Sequence, residues 1–529
     1  MQRIGRFALI LFEIGLLTVL IVTTRCANYQ DVFVAGNIYF VDADCYARMT
    51  RAQMVREKPW LIIRRHAFEN FPQGTTSHTT APLDYLIVAL SFLLNPFTAH
   101  ALDLAGAFVS PLLALLGAWF LWWWSRRMKF RYRWVMLILY AISPILVHGT
   151  ALGRPDHQSL LILLVAIAIC AGWSSQTLQP TNVASAWRLT SAAAWALAIW
   201  VSAYEPLVLF LIVMVTAVVM NPRAVFARDR RAGWILFAAI IAIAFALDLH
   251  VPSFEILQST AHLKNWASTI GELAHVAPMN PVWLNWCGYL LVITPIFIWM
   301  SVRTRRDDAQ GLHALPVICV LLITTYFLTI WQARWGYFFV LIFALALPAL
   351  LAPMKSNAAV WIAFVLSMFP ILGDWDERLW PNEAQLADRV ERRIESVQIR
   401  DLALSLRSPE VHPFLAPWWL SPSIAYWSGQ PGVTGSSHES LNGIVESARF
   451  FLSENLEQAH DILDKHRVAW VFAYDSQRLG QNSAAILNEA VPPRALCRLL
   501  YETPSQAPPF LIFSAQNPTC KLYRVAVER

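Results

Sequence analysis

Charge is what this chain has least of. Only 14% of its 529 residues are Asp, Glu, Lys or Arg, against 57% hydrophobic ones, and the mean hydropathy is +0.46. That balance excludes a soluble protein of this size, because the apolar residues come in long runs instead of amphipathic stripes. The seven cysteines show no metal-ligand spacing; Cys497 with Cys520, and Cys26 with Cys45, stay open as pairs. No repeat of fixed period occurs. Basic residues do not interleave with aromatics, so the net charge of +6 and pI near 9.0 do not describe a nucleic-acid surface. Charged residues deep in the apolar runs are few, Asp103 and Asp248 near run ends being the closest cases.

What is present is a series of membrane spans. A span needs about 20 mostly apolar residues. Such runs lie near 7–24, 100–124, 134–151, 159–173, 187–203, 205–220, 233–250, 285–301, 314–331, 335–352 and 357–373. They predict a polytopic α-helical membrane protein of about 11–13 spans, with Pro82–Leu94 as an interfacial helix or a further span. Arg3 and Arg6 precede the first run without a convincing cleavage site, which reads as an uncleaved signal anchor.

Three basic clusters set the orientation. Arg126 to Arg133, Arg223 to Arg231, and Arg303 to Arg306 all fall on the side of the N-terminus, which is therefore expected to be cytoplasmic. Asp42, Asp44, Asp84, Asp156, His157, Glu205 and Glu272 then share the opposite face. Residues 1–373 read as the membrane domain, with 25–99 as its first outer loop. From 374 onward charges and prolines rise, Arg389 to Leu406 has amphipathic spacing, and Val468 to Ala473 reads as a buried strand. Residues 374–529 are expected to form an extracytoplasmic α/β domain.

Carboxylates and imidazoles gathered at one membrane face suggest a metal site. Asp42 and Asp44, two residues apart, can present oxygens to Mg²⁺ or Mn²⁺; the plainer role for Asp42 is a helix N-cap with Arg48 and Arg51 solvated. Asp156 and His157 sit in a loop squeezed between two spans, where Asp156 can equally cap the next helix. Glu272 follows Thr269-Ile270-Gly271 in a long outer loop and is by default a surface residue. Arg334 lies between two apolar runs, where it either snorkels or contacts phosphate through its planar fork. The polar stretch Gln73 to His78 ahead of Asp84, and the turn Gly435 to Glu439 with His438, are candidate sugar or acceptor contacts or plain loops.

Together these motifs resemble the oligosaccharyltransferase catalytic subunit, a member of the GT-C glycosyltransferases. Asp42…Arg48 after the first span is similar to its first-loop motif. Asp156 and Thr269-Ile270-Gly271-Glu272 are similar to its other two acidic motifs, Arg334 before an aromatic to its donor-phosphate arginine, and Trp418-Trp419 to the start of its Trp-Trp-Asp-Tyr-Gly motif. Ile462 to Val471 resembles the helix–strand segment that follows.

The resemblance implies transfer of a sugar or oligosaccharide from a polyprenyl-linked donor in the bilayer. It implies Asp42, Asp156 and Glu272 as catalytic and metal-site carboxylates, His157 as a further ligand, and Arg334 on the donor phosphates. Asp44, Arg48, His78, Asp84, Trp418, Trp419 and His438 are the further expected contacts. The acceptor, whether protein, lipid or glycan, is open. One departure matters: Leu420-Ser421-Pro422 stands where the family has Asp-Tyr-Gly, the part that reads the sequon, which puts protein N-glycosylation in doubt. The alternatives are a non-catalytic GT-C relative and a transporter or flippase of a lipid-linked substrate. The transporter would place ionisable groups near the bilayer midplane and show matched halves; few charged residues lie deep in the runs, and no internal symmetry is visible.

Overall fold

A computed structural model describes residues 2–77, 81–177, 181–248, 261–303 and 315–526. The chain forms two compact units. One comprises 1–29, 108–247 and 274–382; the other comprises 30–107, 248–273 and 383–529.

The first unit is helical. Among the described residues each of the eleven apolar runs is mostly helix, because an apolar run must satisfy its backbone groups within itself. Among the described residues five helices are long and apolar enough to cross a membrane: Phe7–Arg25, Ala101–Arg127, His157–Thr177, Arg228–Asp248 and Ala333–Leu351. The pair Asn357–Ser367 and Phe369–Leu379, bent by 43°, makes a sixth if it is one span. The count is lower than the run lengths suggest because several runs give shorter helices, such as Tyr204–Met220 and Leu315–Trp331. At the centre lies Gly336–Leu351, in which every residue is buried. A helix apolar all round has no face to offer water and packs on every side.

One broken span shows how the core holds together. The run 134–151 divides into Arg133–Ile142 and Pro144–His148. Pro144 has no N–H for the carbonyl of Tyr140, and the break also releases the carbonyls of Ala141 and Ile142. Arg25, fully buried at the end of the first helix, donates to the carbonyls of Tyr140 (2.8 Å) and Ala141, and its Nε donates to Thr150 Oγ1 at 3.0 Å. Trp375 Nε1 donates to the carbonyl of Ile142 at 2.7 Å. The backbone N–H of Leu152 donates to the carbonyl of Arg25 at 2.9 Å, so the same residue anchors the following loop. A second buried charge, Glu13 inside the first apolar run, accepts from Trp122 (2.9 Å) and pairs with Arg126 (2.8 Å) and Arg133.

In the second unit Asp42 caps the helix Ala43–Glu57, and a turn over residues 67–74 joins Arg65–His66 to Thr75–Thr76. Gly74 sits in that turn at φ +70°, where a Cβ would lie 2.5 Å from the carbonyl oxygen of His66. The last part of the chain carries a four-stranded sheet in the order Phe414–Leu415, Trp470–Tyr474, Cys520–Val525, Leu511–Gln516, its first pair parallel and the others antiparallel. Trp470–Tyr474 falls within the strand region expected from Val468 onward, and the amphipathic segment forms the helix Glu383–Leu404. All seven cysteines are free thiols, so neither candidate pair is bridged.

Replacing Arg25 with Met keeps the volume but leaves two buried carbonyls without donors. Hydrogen bonds from a charged donor contribute about 1.5–3 kcal/mol each, so Arg25→Met is expected to lower the thermal midpoint in detergent by several degrees. Trp375→Phe, which removes one neutral donor, is expected to lower it less. Equal midpoints for Arg25→Met and the native chain would refute this role.

Candidate active site

In the first unit the site is built on the starts of two helices and one turn. Asp156 ends the loop 149–156 and uses Oδ1 twice, accepting the backbone N–H of His157 (2.7 Å) and lying 2.6 Å from His157 Nδ1. A carboxylate on Nδ1 favours the tautomer with its proton there, which makes Nε2 the acceptor. The loop is held from several sides: Ser110 donates to the carbonyl of Arg154, and Arg154 donates to His148 Nε2 at 3.2 Å. His148 Nδ1 in turn lies 2.8 Å from the Tyr337 hydroxyl. Asp156, His157 and Arg154 are all buried.

Glu205, fully buried at the start of Tyr204–Met220, pairs with Arg334 and accepts from Ser202 Oγ at 3.1 Å; it also faces His157 electrostatically. Arg334 lies on the short helix Ala333–Trp335, with its guanidinium 5.9 Å from the centre of the Tyr204 ring. The backbone N–H of Ala333 donates to the carbonyl of Ala274 at 2.9 Å. Ala274 follows Glu272 by two residues, no more than about 7 Å of extended chain.

In the second unit Asp42 takes its plainer role, its Oδ1 accepting the backbone N–H of Cys45 at 3.0 Å. Asp44 stands exposed in the first turn of the same helix. Arg48 and Arg51, expected in solvent, are buried, and both pair with buried Asp84, at 2.8 and 3.4 Å. Arg48 and Asp84 are thus committed to each other. Glu272 is half-buried on the short helix Gly271–Leu273. The helix just before it, Ala261–Ser268, places Trp266 edge-on to Trp418 with ring centres 5.7 Å apart, and Trp418 Nε1 donates to Asn482 Oδ1 at 3.0 Å. Trp419 lies 5.8 Å from Trp418. Two motifs far apart in sequence therefore share one aromatic cluster. His438 Nε2 is 3.3 Å from Glu439 Oε1. His78 lies outside the described residues.

The sequence reading passed over Glu69. It is buried, its Oε1 has no hydrogen-bond partner among the described residues, and the α-carbon of Gly435 stands so close that a Cβ there would lie 2.6 Å from the Glu69 carboxyl carbon. Burial raises its carboxyl from 4.5 to about 7, and Asp44 and Glu439 add to the rise. Arg51 and a backbone N–H from Ser436 oppose it. Nothing near Glu69 in sequence signals this, since the enclosing loop comes from residues 435–440. Ser202 and Arg154 were more legible, as polar residues beside span ends. Among the described residues no three His, Cys, Asp or Glu side chains are grouped so as to hold a metal ion. Among the described residues, then, none of the expected carboxylates belongs to a grouping that fits a metal ion.

No protein-family model matches the chain, and no curated protein matches it in sequence. Solved structures do match. The oligosaccharyltransferase of Archaeoglobus fulgidus, tethered to an acceptor peptide with an NVT sequon, gives a TM-score of 0.68 over 97% of this chain and 74% of that one, at 13% identity. The same protein has been solved with Zn and sulfate (TM-score 0.68), and as AglB with an inhibitory peptide and dolichol-phosphate (0.61). ArnT from Cupriavidus metallidurans in the apo state gives 0.60 over 98% of each chain at 12% identity, and it has also been solved with undecaprenyl phosphate. The chain has the GT-C fold.

On this GT-C fold the residues after Trp418-Trp419 have a structural task. Ser421 and Pro422 are buried at the start of the helix Ser421–Ser428, and Ser421 Oγ donates to the carbonyl of Thr434 at 2.8 Å. Side chains spent this way are not displayed to an acceptor.

Two outcomes are expected. Removing Arg334 alone strands a buried carboxylate, a loss of about 3–5 kcal/mol for a buried pair. Arg334→Ala should therefore unfold more readily than Arg334→Ala combined with Glu205→Gln; equal midpoints would show the pair to be unimportant. For Glu69, the folded value lies above the unfolded one. Its contribution is fully present below about pH 4.5 and is lost as the pH rises to about 7, by no more than about 3 kcal/mol. Glu69→Gln should match the native midpoint at pH 4.5 and exceed it at pH 8; parallel curves would contradict the assignment.

Proposed function

We propose that this chain is a membrane glycosyltransferase that moves a sugar or oligosaccharide from a polyprenyl-phosphate or -diphosphate donor to an acceptor at the extracytoplasmic face of a bacterial inner membrane. The observation that carries this is the GT-C fold, matched along 97–98% of the chain by two proteins solved with polyprenyl phosphates. The N-terminus is taken as cytoplasmic and 374–529 as extracytoplasmic, on the basic-loop argument.

In this reading the acceptor's nucleophilic atom attacks the anomeric carbon, and the bond from that carbon to the phosphate oxygen breaks. The phosphate leaves with the electron pair, and the acceptor's proton passes to a carboxylate. Arg334 contributes positive charge where the leaving phosphate gains negative charge, with Glu205 fixing its orientation. Asp42 and Glu272 orient the acceptor and hold its proton, and Asp156 orients His157. Asp44, Trp418, Trp419 and His438 are the proposed contacts to acceptor or sugar, as is His78. Arg48 and Asp84 act through the shape their pairing gives the first-loop helix. The resemblance would assign a divalent cation, Mg²⁺ or Mn²⁺, to Asp42, Asp156, His157 and Glu272, but among the described residues these are not grouped to hold one, so the positive charge at the phosphate is assigned to Arg334 alone. The buried Ser421 and Pro422 support an acceptor other than the Asn-x-Ser/Thr sequon.

The test is turnover of a polyprenyl-linked sugar, as transfer or hydrolysis, by the purified full chain. Asp42→Asn and Glu272→Gln should each lose about 100-fold or more in turnover while unfolding at the native temperature. EDTA decides the cation separately. Native turnover in both variants would overturn the proposal.

A further inference from the structure

The helix Glu383–Leu404 carries an apolar stripe that none of the described residues covers. Leu386, Val390 and Ile394 follow one another at four-residue spacing and are 48%, 43% and 50% exposed. Four-residue spacing puts them on one side of the helix. The opposite side shows Asp388 and Arg392, paired at 2.9 Å and both largely exposed. The helix is fixed along other lines. Arg393 donates to Asp31 (2.7 Å) and Arg400 to Asn37 (2.8 Å), while Tyr474 bonds Glu395 and Asn517 donates to the carbonyl of Gln398 at 2.8 Å.

Its position in the chain says what covers the stripe. Asp31 follows the end of the first apolar helix, Arg25, by six residues, no more than about 20 Å of extended chain. Only residues 380–382 separate the helix from Leu379, the last residue of the final apolar helix pair, and Trp380 among them is 73% exposed. Two short connections therefore tie this helix to apolar helices, one long enough to cross a membrane and the other a bent pair that does so if it is one span. Along the sequence, exposed apolar side chains recur at Phe369, Leu372, Leu379 and Trp380, and then at Leu386, Val390 and Ile394.

We propose that Glu383–Leu404 is an interfacial helix whose Leu386–Val390–Ile394 stripe lies in the bilayer surface. Its occupant is lipid, not a protein partner. The helix has mixed charge, with five acidic and four basic residues, so its attachment rests on apolar insertion and tethering, without preference for anionic lipid. Trp380 sits at the boundary, where an indole is half apolar and half hydrated.

The experiment uses the full chain in lipid nanodiscs, with bimane attached through Val390→Cys or, on the opposite side, through Arg392→Cys. Native protein treated with the same reagent gives the background from its own thiols. Acyl-brominated lipid should quench the Val390 label at least twofold more than the Arg392 label, equally in neutral and anionic bilayers. Equal quenching of the two labels would overturn the proposal. So would a Val390 label shielded from water yet unquenched by brominated lipid, which would assign the stripe to a protein partner or a second copy. A requirement for anionic lipid would overturn the apolar mechanism.

Discussion

A backbone carbonyl inside an apolar core must find a donor, and in this protein that requirement converges on Arg25. Pro144 interrupts a span and leaves the carbonyls of Tyr140, Ala141 and Ile142 without helical partners. Arg25 serves the first two, and Trp375 serves the third. Because the backbone of Arg25 also receives the N–H of Leu152, the loop that presents Asp156 and His157 starts from the same anchor. A buried guanidinium with several acceptors is costly to bury but costlier to remove. The first helix is in this sense the fixed post from which the second outer loop is hung.

Burial of charge follows a consistent logic elsewhere. Glu13 is matched by Arg126 and Arg133, Glu205 by Arg334, and Asp84 by Arg48 and Arg51. Each joins elements distant in sequence, so a pair also specifies register between them. Glu69 is the exception: it faces one arginine and two carboxylates, and it keeps its proton to a higher pH. That places a carboxyl that holds its proton up to about pH 7 among charged neighbours, in the segment that also carries Asp42 and Asp44.

The helical nature of the apolar runs was legible, since each is mostly helix among the described residues, but their lengths as helices were not, because several runs are broken or short. Breaks were less legible. Pro144 is plain in the sequence, but the arginine that makes its break tolerable lies more than a hundred residues earlier. Asp42 as an N-cap could be read from its position before a polar helix. The pairing of Arg48 with Asp84 could not, since no local pattern announces a contact 36 residues away. Arg334 was noticed as an isolated cation in apolar surroundings, and Glu205 as an acid at a span end. Their pairing needed the fold. The meeting of Trp266 with Trp418 was hidden for the same reason, although both flanking motifs had been noticed.

The fully enclosed helix Gly336–Leu351 has a consequence for how the chain tolerates change. Side chains on the rim, such as Leu211, Val215 and Val219, face outward, and any apolar residue of moderate size serves there. Along the enclosed helix each side chain is read by protein neighbours, and Gly336 itself lies against the Trp286 ring. Divergent relatives should therefore drift freely at the rim and keep side-chain volume nearly constant along this one rod. Its size pattern, more than any polar motif, would then be the most durable mark of common descent.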